Sequence, residues 1–317
     1  MHSRASRLFF VLALLSLFSL PTFAWDEVGH KITAYIAWQQ MTPDVRAKVI
    51  KILTAGPEES GLGTFYMTYG SQSEAYRQRQ YFELVATWAD LVRDRAFPQR
   101  AKFSNSNWHY TDTMWTDQGG KVVELPETEP GGLAIQKIED FSKVIRGNAK
   151  DSDKAIAIAW LVHLIGDMHQ PLHASARVTP ENPKGDQGGN LFLLTPKGTP
   201  RDKQENIHWF WDSIVVRYAA NKKDACDADY IDPIANKIMK KYPYDKLRAQ
   251  LNDGKFDVWK NESYAIASTE VYKNLTEYQM PSDSYKKNAY KIAEQRLALA
   301  GYRMADLFNE VFGSAAK

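Results

Sequence analysis

One helix-length run constrains the fold more than any other feature of the chain. Residues Lys154 to Met168 are almost wholly apolar, yet the run carries His163 and Asp167. A helix that is apolar all round belongs in the middle of a protein. A carboxylate buried there is costly unless a cation or hydrogen-bond donors meet it. His163 and Asp167 are four residues apart, so on a helix they share a face. His169 and His173 repeat the spacing, with Pro171 between them placed to end or kink the helix. Imidazole and carboxylate on one helical face form a donor set that holds zinc.

The rest of the chain has the same helical periodicity. Val28–Gln40, Pro43–Leu53, Tyr81–Arg93 and Gly132–Ile145 precede the central run. Beyond Pro171 the texture changes. Thr179–Asn206 is rich in Gly, Pro and Asn, with Leu191–Thr195 expected as a short strand of a β-hairpin around 179–206. Helix returns at His208–Ala220, Asp232–Lys241, Asn261–Tyr272 and Tyr285–Phe312. No repeat or long linker divides the chain. The expectation is an all-α fold, one domain spanning residues 25–317.

The first 24 residues read as a secretory signal peptide. Arg4 and Arg7 open it, Leu8–Leu20 is apolar, and Thr22-Phe23-Ala24 offers a small-residue cleavage site before Trp25. The apolar run is too short for a membrane span of about 20 residues, so no stable anchor is expected. Removing Arg4 and Arg7 with no acidic residue takes the formal charge from +2 to 0. No broad basic field remains to hold a polyanion through counterion release. Such a substrate must be gripped locally. The single cysteine, Cys226, allows no intrachain disulfide in an oxidising compartment.

Further donors are spread along the chain. His208 and Asp212 are again four apart. Asp90 sits among apolar and aromatic neighbours in Trp88-Ala-Asp90, and His109 lies in Trp108-His-Tyr110. Cleavage after Ala24 would turn the Trp25 nitrogen into an α-amine with a pKa near 8. That amine and the Trp25 carbonyl could chelate a metal that His30 also reaches.

Taken in order, these segments resemble the S-one/P-one nucleases, the zinc enzymes of the mung bean nuclease type. The resemblance rests on Trp25 with His30, Trp88-Ala-Asp90, Trp108-His109-Tyr110, His163-Leu-Ile-Gly-Asp167 and Gln170-Pro-Leu-His173. It continues through Gly188-Gly189-Asn190, Asn206-x-His208-x-x-Trp-Asp212 and Ala300-Gly-Tyr-Arg303-Met-Ala-Asp-Leu-Phe-Asn309.

The resemblance implies the helical fold shared with zinc-dependent phospholipase C, and three zinc ions. Asp90, His109, His163 and Asp167 would hold the first. His173, His208 and Asp212 would hold the second. Trp25 and His30 would hold the third, with Asp167 bridging to the first. His169 matches no ligand position and is expected to be structural. Arg93 and Asp167 would act in catalysis, Arg93 on the phosphate. Tyr110, Asp112, Gly188, Gly189 and Asn190 would bind the nucleobase.

The implied activity is that of an exported monomeric endonuclease, periplasmic or secreted. It would cut single-stranded DNA and RNA to 5′-phosphates and carry 3′-nucleotidase activity. The alternative is a zinc-dependent phospholipase C. Those enzymes resemble H-x-x-x-E at the last ligand pair, where this chain has His208-x-x-x-Asp212.

Overall fold

In the computed structural model of the protein, residues 25–67, 71–126 and 131–313 are described. The expected signal segment lies outside them. The chain runs through helices α1 (Glu27–Gln40), α2 (Pro43–Leu53), α3 (Glu74–Val85), α4 (Trp88–Leu91) and α5 (Arg100–Phe103). Strands β1 (Thr113–Gln118) and β2 (Lys121–Glu124) follow, then α6 (Ala134–Arg146), α7 (Asp151–Asp167) and strand β3 (Ser175–Arg177). The remaining helices are α8 (Ile207–Asp212), α9 (Ile214–Tyr218), α10 (Asp227–Lys241), α11 (Tyr244–Leu247), α12 (Phe256–Ile266) and α13 (Asp283–Phe312).

Helix α7 is the predicted central run. Its last thirteen residues, Ala155 to Asp167, are all buried apart from Ile156. Helix α6 lies along it, α2 and α13 flank it, and α1 crosses between α7 and α13. Two apolar clusters fill the interior. Ala34, Ala37 and Trp38 of α1 join the cluster around α7, whereas Ile32, Tyr35 and Ile36 join the one around α8 and α13. Helix α1 is thus buried on both sides, and it can present a polar side chain only where another polar group meets it.

The C-terminal motif explains how α13 is docked. Gly301 lets α13 approach α1, since a Cβ there would stand 2.6 Å from Ile36 Cβ and 2.9 Å from the Thr33 carbonyl oxygen. Asn309 accepts from the Thr42 N–H at 3.1 Å and donates to the Gln40 carbonyl at 3.3 Å, closing the turn between α1 and α2. Arg303 reaches beneath the end of α7.

Four expectations change in detail. The Tyr81–Arg93 periodicity is broken at Ala86–Thr87 into α3 and α4. The break frees the Ala86 carbonyl, which accepts from His163 Nδ1 at 2.8 Å. His208–Ala220 is likewise broken at Ser213, whose hydroxyl donates to the Trp209 carbonyl. Leu191–Thr195 forms no strand, and only Leu193 bridges Asn206. Pro196 and Pro200 lack the N–H that would extend that ladder, and Asn206 turns to cap α8. The small sheet lies elsewhere, in the order β2-β1-β3, with β1 antiparallel to β2 and parallel to β3.

Gly301→Ala tests the α1–α13 contact. The added methyl must displace Ile36 and the backbone of α1, so about 1–3 kcal/mol of stability should be lost in denaturant unfolding.

Candidate metal centre

Every expected donor side chain is delivered to one buried region by the end of a helix or by the turn beside one. His30 comes from the first turn of α1, Asp90 from α4, and His163 and Asp167 from the last turn and a half of α7. His173 comes from the 3₁₀ turn Pro171–Ala174, with Pro171 at its first position. His208 and Asp212 come from the two ends of α8, and His109 follows a short 3₁₀ turn. Each of these side chains is less than 9 % exposed. Three groups of donors are close enough to hold a metal ion: His30, Asp90 and His163; His109, His163 and Asp167; and His173, His208 and Asp212.

The second group is tightly drawn together, with Asp90 beside its two histidines. His163 Nε2 stands 3.0 Å from His109 Nδ1 and 3.2 Å from Asp167 Oδ2. His109 Nδ1 is 3.1 Å from Asp167 Oδ2, and Asp90 Oδ1 is 3.8 Å from both imidazole nitrogens. Four donors about 2.0–2.1 Å from a tetrahedral ion stand about 3.3 Å apart. The observed separations bracket that value.

In the third group His208 Nε2 lies 3.4 Å from Asp212 Oδ2, and His173 Nε2 lies 4.0 Å from Asp212 Oδ1. His30 Nε2 approaches the other oxygen of Asp167 at 3.3 Å, and its ring stacks on His163.

Hydrogen bonding fixes which ring nitrogen faces inward. Nδ1 of His163, His173 and His208 lies 2.8, 2.6 and 2.7 Å from the carbonyls of Ala86, His109 and Gly188. A carbonyl can only accept, so each Nδ1 carries the proton and each Nε2 presents a lone pair. Nε2 of His173 and His208, both ring nitrogens of His30, Asp167 Oδ1 and Asp212 Oδ2 are buried without hydrogen-bond partners among the described residues. Buried polar atoms are seldom left so. Their convergence suits a cation, and metal-ligating histidines typically pair their other nitrogen in this way.

The electrostatics agree. Burial pushes Asp212 well above the carboxylate range despite the hydrogen bond from Gln170. Burial and His173 push His208 down to about 3. Burial opposes the charge on Asp167, but the positive charge on His163 and the close approach of His109 and His30 hold it well below the usual range. Burial opposes charge on His163 as well, yet Asp167 and Asp90 raise it to about 9, so with no metal bound its Nε2 holds a proton that a cation would have to displace.

Comparison with known proteins follows the same residues. The S1/P1 Nuclease family model matches residues 25–313. The chain belongs to the S1/P1 nuclease family. It is 24 % identical to Nuclease S1 of Aspergillus oryzae over 297 residues, covering 90 % of each chain. Against Nuclease P1 of Penicillium citrinum the identity is 24 % over 306 residues, covering 92 % of this chain and 98 % of the other. Endonuclease 2 of Arabidopsis thaliana is 24 % identical over 316 residues, 96 % of both. Membership of the S1/P1 nucleases makes the protein a hydrolase of phosphodiester bonds with nucleic acid as its substrate. It does not favour the phospholipase alternative.

Other expected site residues fall around the cluster of this S1/P1 nuclease. Arg93 Nη1 lies 3.1 Å from Asp90 Oδ1. Asp26 caps α1, and its own N–H donates to the Asp212 carbonyl at 3.0 Å, so the peptide after fully buried Trp25 lies against α8. Asp112 is partly buried. Burial and nearby Asp186 push it up to about 8, so near neutral pH it offers a hydroxyl as well as an acceptor. Asn190 donates to the Gln187 carbonyl at 2.8 Å. Gly188 and Gly189 have φ of 61° and 83°, and a Cβ would meet the Leu172 carbonyl oxygen at 2.6 Å and Ile207 Cγ2 at 2.4 Å, respectively. The pair thus has a packing role, bringing the Gly188 carbonyl onto His208.

Two supports, Gln170 and Asp186, were not assigned from sequence. Gln170, fully buried, donates to Asp212 Oδ1 at 2.6 Å and accepts from the Leu172 N–H. Asp186 accepts from Tyr272 Oη at 2.6 Å and from the Arg177 N–H at 2.9 Å, pinning the loop before Gly188. His169 is part of a buried ionic brace. Its Nδ1 donates to the Ile165 carbonyl, and its Nε2 accepts from Arg303 at 2.7 Å. Arg303 and Arg296 both bond Glu262, and Arg296 donates to the His169 carbonyl. His169 is structural, as expected, and burial beside two arginines keeps it uncharged.

Gly166 gives a direct test of His30 placement. A Cβ there would stand 2.9 Å from His30 Nδ1 and 3.1 Å from its Cε1. Gly166→Ala should therefore push the His30 ring from Asp167 and lower the metal content measured by plasma mass spectrometry. Metal content and activity equal to wild type would show that His30 is not a ligand.

Proposed function

We propose that the protein is a zinc-dependent, three-metal nuclease that cuts single-stranded DNA and RNA to 5′-phosphate products, with accompanying 3′-nucleotidase activity. It acts outside the cytoplasm, periplasmic or secreted, as a monomer of one domain starting at Trp25. Among the described residues no helix is long and apolar enough to cross a membrane.

The observation that carries the reading is the close set of Asp90, His109, His163 and Asp167 beside inward-facing, unpartnered imidazole nitrogens. These four residues would hold the first zinc. His173, His208 and Asp212 would hold the second. Trp25, His30 and Asp167 would hold the third. Zinc bound there supplies Lewis acidity, which lets water serve as a nucleophile near neutral pH.

The chain's own groups do the rest. The carbonyls of Ala86, His109 and Gly188 hold three imidazoles in the tautomer that leaves Nε2 unprotonated. Gln170 keeps an oxygen of Asp212 directed. The Arg93 guanidinium, anchored at Asp90, meets the scissile phosphate and offsets charge that builds there. Tyr110 stacks on a base while Asp112 and Asn190 bond its edge. Stacking requires an unpaired base and tolerates any sequence, so the chain needs no groove-reading element.

Metal analysis of the mature protein should give about three zincs per chain, the number its donor sets accommodate. A chelator should abolish nucleotide release from single strands, and zinc should restore it. Zinc-loaded protein that hydrolyses phosphatidylcholine but releases no nucleotides would overturn the reading.

Adding one residue before Trp25 should remove one zinc and most of the activity, because it buries the α-amine in a peptide bond. Asp167→Asn should cost more activity than Asp212→Asn, and at least ~100-fold, since its carboxylate serves donors of two groups. The reverse order would count against a bridging role.

A further inference from the structure

Among the described residues six large apolar side chains are exposed, and three of them directly follow a site residue. Leu91 follows Asp90, Leu191 follows Asn190, and Trp209 follows His208. Trp209 is the telling one. In α8, Ile207, His208, Phe210, Trp211 and Asp212 are all buried, whereas Trp209 is 40 % exposed. No aromatic ring among the described residues stacks on its indole.

Helical geometry sets the direction of that indole. At 100° per residue, with His208 at 0°, Asp212 lies at about 40° and Trp209 at about 100°. Trp209 therefore flanks the face that carries the donors. Phe210, at about 200°, and Trp211, at about 300°, turn into the core.

A second contact ties Trp209 to the base-reading loop. Asn206 accepts from the Trp209 N–H at 2.7 Å, and its amide donates to Asn190 Oδ1 at 3.4 Å. The Ile207 N–H donates to the Phe192 carbonyl at 3.0 Å, tying that loop to the start of α8. An indole offers the largest π-face of any side chain. Placed at the rim of a phosphodiester-cleaving centre, it matches an unpaired nucleobase.

We propose that Trp209 is a stacking platform for a nucleobase of the strand, a subsite beyond the Tyr110 pocket, linked to Asn190 through Asn206. The subsite rests on the single-strand nuclease reading. It gives longer strands a grip that a single nucleotide lacks. Because a ring face is read without hydrogen bonds, it adds affinity with little base preference.

The test uses zinc-loaded mature protein and a trinucleotide with phosphorothioate linkages, which binds but resists cleavage. Trp209→Ala should weaken trinucleotide binding ~5- to ~100-fold, the range for losing one stacked base. Trp209→Phe, which keeps a ring, should stay within about threefold of wild type. On a cleavable oligonucleotide the alanine variant should lose through KM more than through kcat, and lose more than on a nucleoside 3′-monophosphate.

Three outcomes overturn the subsite: wild-type trinucleotide affinity in Trp209→Ala; equal losses in the alanine and phenylalanine variants; or equal losses on trinucleotide and monophosphate, which mark a structural role in α8. If wild-type protein neither binds nor cuts single strands, the nuclease reading fails, and the subsite with it.

Discussion

A single carboxylate holds the centre together. Asp167 is fully buried at the end of α7, and its two oxygens face different partners. One meets His109 and His163, and the other meets His30. A helix C-terminus carries a partial negative charge, so an anionic side chain is least welcome there. The carboxylate is tolerated because three imidazoles from three separate segments converge on it. Those segments are α1, α7 and the turn before β1. Any fold that satisfies Asp167 must bring them within hydrogen-bond range, and most of the remaining packing follows from that demand.

Much of this was readable from the chain. The donors of α7 and α8 sit at fixed helical spacings, so His163 with Asp167 and His208 with Asp212 declare a shared face wherever the helices lie. Pro171 marked the end of α7 correctly. The break between α3 and α4 was hidden, because Ala86, Trp88 and Ala89 are as buried as the residues of an unbroken apolar stripe. Its cause is tertiary: the Ala86 carbonyl serves His163. The three-stranded sheet was missed for a similar reason, since β1 is half solvated and pairs with a strand about sixty residues away. Gln170 and Asp186 carry no local signal either. Each is defined by a partner distant in sequence, Asp212 for the first and Tyr272 for the second.

The site also shows how a chain whose acidic and basic residues nearly balance can act on a polyanion. Its cationic groups are concentrated rather than spread. Arg93 is held at Asp90, and the buried donors around it are arranged to receive positive charge. Exposed apolar side chains lie next to this polar centre in the chain, so a strand would meet one strong charged grip and a rim suited to flat rings.

The brace beneath α7 has a consequence for how the molecule is made. Glu262 on α12 and Arg296 and Arg303 on α13 hold the turn after Asp167 from below. Helix α13 also closes on α1, the first helix of the described chain. A nascent chain therefore has all its donor residues before it has the helix that braces them, so in folding the arrangement of the donor cluster depends on the docking of α13.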